Sequence, residues 1–271
     1  MVKLFREKLG ISDVWVSSND KLSDFYASSW QRGDSPVPLL VVRVLLATVA
    51  LAILIWSVAE GPSPFWLVYL TNWGLLLVTM MLISGLVVSI VIVNKKPYET
   101  MELPWYVSMY WLLYNVAVSI AIMITALYWI LLYDSGTFES RRMFWLDLST
   151  HGFNSCLAFI EVVVSRTPVR ILHFYQPLGV GLWYAAFTGI YYIAGGTDGN
   201  GNHFIYEILD WKYGKRSGSI VGISVVGLIV IYILLWLLAL ARDKISTTYI
   251  RTTSHNLQTT TPDEILHTRI V

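Results

Sequence analysis

The chain has one cysteine, Cys156, so it offers neither an internal disulfide nor a thiolate cluster, and a disulfide-stapled ectodomain and a Cys-type zinc site are both excluded. Charge is scarce too. Asp, Glu, Lys and Arg make up 14% of the residues, against about 25% in an ordinary soluble domain, which argues against a soluble enzyme. The 19 basic residues are scattered over short segments, leaving no basic face for nucleic acid. Of five histidines only His151 falls well inside an apolar run, which excludes a di-haem bundle with four axial histidines. No cofactor and no metal are expected. The polar, mixed-charge residues 1–32 lack the apolar centre of a cleaved signal peptide. No internal repeat is visible, which counts against an inverted-repeat transporter.

What the chain does have is hydrophobic length. A span needs about 20 apolar residues, and six runs qualify: 38–59, 65–93, 104–133, 145–164, 178–194 and 219–241. The reading is an all-α bundle of six transmembrane helices, integral to the plasma membrane or the endoplasmic reticulum. Twelve tryptophans and sixteen tyrosines suit aromatic belts at its two interfaces. Arg43, near the start of the first run, is expected to snorkel to the interface. With the N-terminus inside, fourteen Lys/Arg fall on the cytoplasmic side and five outside, so both termini are expected in the cytoplasm. Residues 1–37 read as a cytoplasmic segment, 38–241 as the membrane domain and 242–271 as a disordered Thr-rich tail. Val2, Leu4, Phe5 and Leu9 among charged neighbours fit a short interfacial helix or a solvated tail.

The fourth run is unusual in carrying ionisable groups, which within spans generally face a bundle interior and mark function. Asp147, His151, Asn154 and Glu161 lie at offsets of 0, 4, 7 and 14, within an arc of roughly 80° on an ideal helix. They form one stripe, either interhelical glue or a site. Glu161 should be satisfied by another helix or by Arg166 and Arg170. His151 lies about six residues, roughly 9 Å, below the outer interface, and Thr71 in the second run lies about as deep. The two side chains can share one plane. A threonine hydroxyl becomes a nucleophile when a neighbouring base takes its proton, and neutral histidine is the usual base near pH 7. The bland alternative is that Thr71 bonds its own helix. Residues 195–211 begin with interleaved Gly, Asp and Asn suited to tight turns, with no Lys-Thr to make a phosphate cradle. They end in Phe204, Ile205, Tyr206, Ile208, Leu209 and Trp211, which predicts a cap folded back over the outer mouth.

The strings Tyr69-Leu-Thr71-Asn72-Trp73-Gly, His151-Gly-Phe-Asn154-Ser-Cys, Ser165-Arg-Thr-Pro-Val-Arg170, His173-Phe-Tyr-Gln-Pro-Leu-Gly179, Ala194-Gly-Gly-Thr-Asp198 and Leu209-Asp-Trp211 resemble the rolling stone family, over nearly all of residues 1–245. That resemblance implies a multi-pass membrane protein associated with myoblast fusion, with protein partners in cell fusion. A more distant similarity is to the androgen-inducible and androgen-dependent six-span hydrolases, which use an intramembrane threonine and histidine on lipid esters. Thr71 follows Leu70 and Trp66, and His151 precedes Glu161 by ten residues, as in that group, although the Trp-to-Thr spacing differs by one residue. It implies Thr71 as nucleophile and His151 as base, acting on a lipid ester among membrane lipids. Asn72 or Asn154 would donate to the oxyanion, with Asp147 and Glu161 as supporting polar groups. The competing class is a non-enzymatic membrane organiser or fusion scaffold whose polar stripe serves packing.

Overall fold

The computed structural model describes residues 21–60, 63–94, 103–133 and 141–251, and these are almost wholly helical, with no strand among them. Helix α1 (Val37–Glu60) has Pro38 in its first turn, where the missing N–H costs nothing. Helix α2 (Leu70–Asn94) follows a short 3₁₀ segment, Ser63–Val68. Helix α3 (Trp105–Leu127) starts directly after Pro104 and runs on as a wider π turn, Tyr128–Leu132. Next come α4 (Arg141–Leu148), a second π turn (Ser149–Phe153) and α5 (Asn154–Val164), which together make one continuous helical stretch. Helices α6 (Tyr175–Ile193) and α7 (Gly214–Ser246) complete the bundle.

Four helical segments among the described residues are long and apolar enough to cross a membrane: Val37–Glu60, Leu70–Asn94, Trp105–Leu132 and Trp211–Arg251. The other two passes expected from the sequence are helical but more polar. The α4–α5 pass carries Arg141, Arg142, Asp147 and Glu161, while α6 begins with Gln176 and includes Gly179, Gly181 and Gly189. Aliphatic side chains such as Val41, Leu45 and Ile55 on α1 and Ile223, Val226 and Val230 on α7 stand exposed on the perimeter, as lipid-facing side chains do.

The core is aromatic as well as aliphatic. Tyr110, Trp111 and Tyr114 of α3 are buried, and Phe25, from a short 3₁₀ turn before α1, meets Trp111 edge-to-face at 5.2 Å. The segment before α1 is therefore part of the packed structure rather than a tether. Ser28 bridges Ser165, the Ser29 amide donates to Val164 O at 2.8 Å, and Arg166 bonds Ser28 O at 2.8 Å and Asp34 at 2.5 Å. Arg242 of α7 reaches Val162 O at 2.7 Å and Thr167 O at 3.1 Å, and the Ser246 hydroxyl donates to Ser29 O. Both described ends of the chain thus meet at one end of the bundle.

Two expectations are corrected. Residues 242–251 are helical, as the last turns of α7 and a π turn, Thr247–Arg251, because Arg242 and Ser246 are anchored in the bundle. The interfacial segment 1–10 and residues 252–271 lie outside the described residues. Arg43 does not snorkel. It is fully buried, with Nε and Nη2 on Glu161 Oε1 at 3.0 and 2.7 Å, Nη2 on Tyr110 at 2.7 Å, and Nη1 on Phe25 O, Gly85 O and Ser89, each at 2.9 Å. Acceptors converge here because Gly85 has no side chain: a Cβ there would sit 3.1 Å from Arg43 Nε and 2.9 Å from the Tyr110 ring.

Candidate functional site

His151 sits in the π turn of the α4–α5 pass, where one extra residue per turn releases a backbone carbonyl from its usual partner. The Thr125 hydroxyl of α3 takes that carbonyl, donating to His151 O at 2.6 Å, and also lies 2.9 Å from Ser155 Oγ. The imidazole stacks on Tyr128 with ring centroids 3.7 Å apart and planes 7° from parallel. Its Nε2 is 3.5 Å from Asp147 Oδ1, and the Tyr128 hydroxyl donates to Asp147 Oδ2. Its Nδ1 is buried with no hydrogen-bond partner among the described residues. One ring nitrogen therefore faces a carboxylate that is itself held, and the other has no partner among the described residues.

Thr71 lies in the first turn of α2, whose opening amides lack intrahelical acceptors. Two phenols satisfy the first of them. The Leu70 amide donates to Tyr184 and to Tyr206, both at 3.0 Å, and Tyr184 passes its own proton to Val68 O at 2.8 Å. Tyr206, in the connection between α6 and α7, lies beside the Thr71 side chain, and burial raises the pKa of its phenol, so it keeps its proton at neutral pH.

Thr71 and His151, 80 positions apart, line one cavity of about 120 Å³. Tyr128, Tyr184, Tyr206 and Ser224 contribute its other polar side chains, and aliphatic groups of α3, α6 and α7 make up the walls. Among the described residues, no Asp, Glu, Lys or Arg lines it. A neutral, largely aliphatic guest suits such walls, since a charged one would enter without a counter-ion.

The remaining site candidates lie elsewhere. Asn72 is used locally, with Nδ2 donating to Trp66 O at 2.6 Å and Oδ1 accepting from Ser57 at 3.5 Å, and it does not line the cavity. Asn154 is buried outside the cavity with an unpartnered Oδ1. Glu161 belongs to the Arg43 network, so another helix satisfies it rather than Arg166 or Arg170. Only Asp147 remains beside His151. The cap is built from Tyr206, Ile208 and Leu209, whereas Phe204 and Trp211 line a smaller space of about 10 Å³, with Trp211 Nε1 donating to Thr188 at 3.0 Å.

Tyr128, Tyr184 and Thr125 escape a reading by spacing because their partners lie on other passes. Tyr206 is visible in the sequence only as one apolar residue of the cap.

Comparison with known proteins is consistent across the chain. The family model described as "Protein rolling stone" matches residues 1–260. Protein rolling stone of Drosophila melanogaster is 30% identical over 247 residues, covering 87% of each chain. No solved structure matches.

Proposed function

The chain belongs to the rolling stone family, and on that premise we propose that this membrane protein is a hydrolase of neutral lipid esters, with Thr71 as nucleophile and His151 as general base. The observation that supports it most is the shared cavity, lined by Thr71 and by His151, whose Nδ1 has no hydrogen-bond partner among the described residues. Thr71 Oγ attacks the ester carbonyl and its proton passes to His151. Asp147, held by Tyr128, favours the tautomer with hydrogen on Nε2 and stabilises the imidazolium that forms. The alkoxide leaves with that proton, and water releases the acyl group from Thr71 by the same steps in reverse order.

An engineered apolar cavity of about 150 Å³ takes up benzene, so about 120 Å³ holds only the reacting end of a lipid. The remaining chain leaves sideways between α6 and α7. Gly181 there lines the cavity, Leu182 is exposed, and Cβ atoms placed at Gly179, Gly218 and Gly222 would meet nothing within 4 Å. On this reading the chain crosses the membrane six times with cytoplasmic termini and the site lies in the outer leaflet, so tags at either end should resist protease added to intact cells. The association with cell fusion carried by the family resemblance is part of this proposal, as the cellular setting in which a lipid ester is cleaved.

The test is labelling of purified, detergent-solubilised protein by a fluorophosphonate, together with turnover of a panel of neutral lipid esters. Wild type should label and turn over; Thr71→Ala and His151→Ala should do neither, while remaining folded and in the membrane. Wild type that neither labels nor hydrolyses would refute the proposal in favour of the organiser.

A further inference from the structure

The two asparagines expected to stabilise an oxyanion lie outside the cavity, and no charged side chain among the described residues replaces them. A tetrahedral intermediate on Thr71 would then carry a full negative charge against aliphatic walls, which is where a preorganised donor is most effective. Among the cavity's polar groups, the Tyr184 hydroxyl donates its hydrogen bond to Val68 O and the Tyr128 hydroxyl donates its own to Asp147. Ser224 lies on α7 rather than on an element that touches Thr71. Tyr206 differs from these. Its oxygen accepts the Leu70 amide at 3.0 Å and stands in hydrogen-bond contact with the Thr71 and Tyr184 side chains, so its hydroxyl sits at the nucleophile, where its hydrogen can turn toward a bound carbonyl. The ring is fixed edge-to-face on Tyr69, with centroids 5.9 Å apart, so the hydroxyl is positioned before any ligand enters.

We propose that Tyr206 is the oxyanion donor of this site: its O–H hydrogen-bonds the carbonyl oxygen of the neutral ester under attack by Thr71. This inference rests on the hydrolase reading. As the Thr71 Oγ–carbon bond forms, the carbonyl π pair moves onto oxygen and is stabilised by the Tyr206 O–H, while the Thr71 proton goes to His151. On collapse the carbonyl re-forms, the ester C–O bond breaks and the alkoxide takes the proton from His151. The Leu70 amide, donating into the same phenol oxygen, polarises that O–H and makes it a stronger donor. The cap thus supplies chemistry as well as cover.

The experiment is the rate of fluorophosphonate labelling of full-length protein in detergent, for wild type, Thr71→Ala and Tyr206→Phe. Uptake of an unreactive fluorescent aliphatic ester analogue is measured in parallel. Tyr206→Phe keeps the ring on Tyr69 and leaves the Leu70 amide bonded to Tyr184, so the fold is retained. Loss of one such donor typically slows reaction about 10²- to 10³-fold, and we expect that range for labelling, with uptake changed less than about threefold. Labelling of Tyr206→Phe at the wild-type rate, with Thr71→Ala unlabelled, would overturn the role of Tyr206 and leave the hydrolase reading standing. Wild type that does not label would remove both. If Tyr206→Phe does not fold, fluorotyrosine at position 206 decides: its more acidic phenol should shift the alkaline limb of the labelling profile to lower pH, and an unshifted limb overturns the proposal.

Discussion

Glu161→Ala is the most demanding test of the fold, because it strands a guanidinium that has no route to water. Arg43 is fully buried and spends two of its contacts on Glu161, at 3.0 and 2.7 Å. Removing one partner of a buried ion pair costs about 3–5 kcal/mol, chiefly from the charge left behind. Phe25 O, Gly85 O, Ser89 and Tyr110 still hold Arg43 and neutralise nothing, so the loss should lie within that range. Arg43→Met combined with Glu161→Leu removes both charges and should recover at least about 2 kcal/mol of the summed single losses, since well-packed apolar replacements of buried pairs are often close to neutral. The assay is equilibrium unfolding in mild detergent followed by tryptophan fluorescence, for which buried Trp111 is a local reporter 5.2 Å from Phe25. A Glu161→Ala cost below about 1 kcal/mol, or a double variant equal to the sum of the singles, would refute the reasoning.

Thr125→Val should uncouple the π turn from α3 by removing the bonds to His151 O and Ser155, costing about 1 kcal/mol and slowing labelling at Thr71; an unchanged labelling rate would show that His151 is oriented without it. Gly85→Ala should destabilise clearly more than Gly74→Ala, since the first pushes on the packed Tyr110 ring and Arg43 while the second, though closer at 2.3 Å, meets the movable end of Ile124. Equal unfolding midpoints would contradict this. In the cap, burial alone would raise the Asp198 pKa, but hydrogen bonds from the Asn202 side chain and from the Asn202 and Asn200 amides outweigh it and hold the carboxyl below its ordinary range. That stabilisation is present above the unfolded value of about 3.9 and is lost as pH falls through the lower folded value. Proteolysis of residues 198–202 should therefore accelerate only in acid, and an identical acid response in Asp198→Asn would refute the assignment.

Much of the helical content was legible because apolar runs bounded by proline, such as the one after Pro104, have few alternatives to helix. Depth alone brings Thr71 and His151 to one level, since rise per residue converts sequence position to height. Height says nothing about azimuth, however, and azimuth is what removes Asn72 and Asn154 from the cavity. A stripe drawn at a uniform 100° per residue loses its phase at the π turn Ser149–Phe153, which is one reason Asp147 and Glu161 serve different neighbourhoods. Arg43 departs from the sequence expectation for a different reason. Snorkelling is the favoured fate of a lone arginine near a span end, and its acceptors, 18 to 118 positions away, follow no local pattern.

The separation of Arg43 from Glu161 also sets a timetable for synthesis. A ribosome adding about 5–20 residues per second needs on the order of ten seconds to make the 118 residues between them. During that interval the nascent first helix holds a cation with its carboxylate not yet made, so it must wait at a protected seam or in the company of Phe25, Ser89 and Tyr110, all of which are translated earlier than Glu161. Nascent chains released before residue 161 would carry an unneutralised charge in the bilayer, a ready mark for quality control, whereas those that pass it can close the ring of polar contacts and leave the insertion machinery.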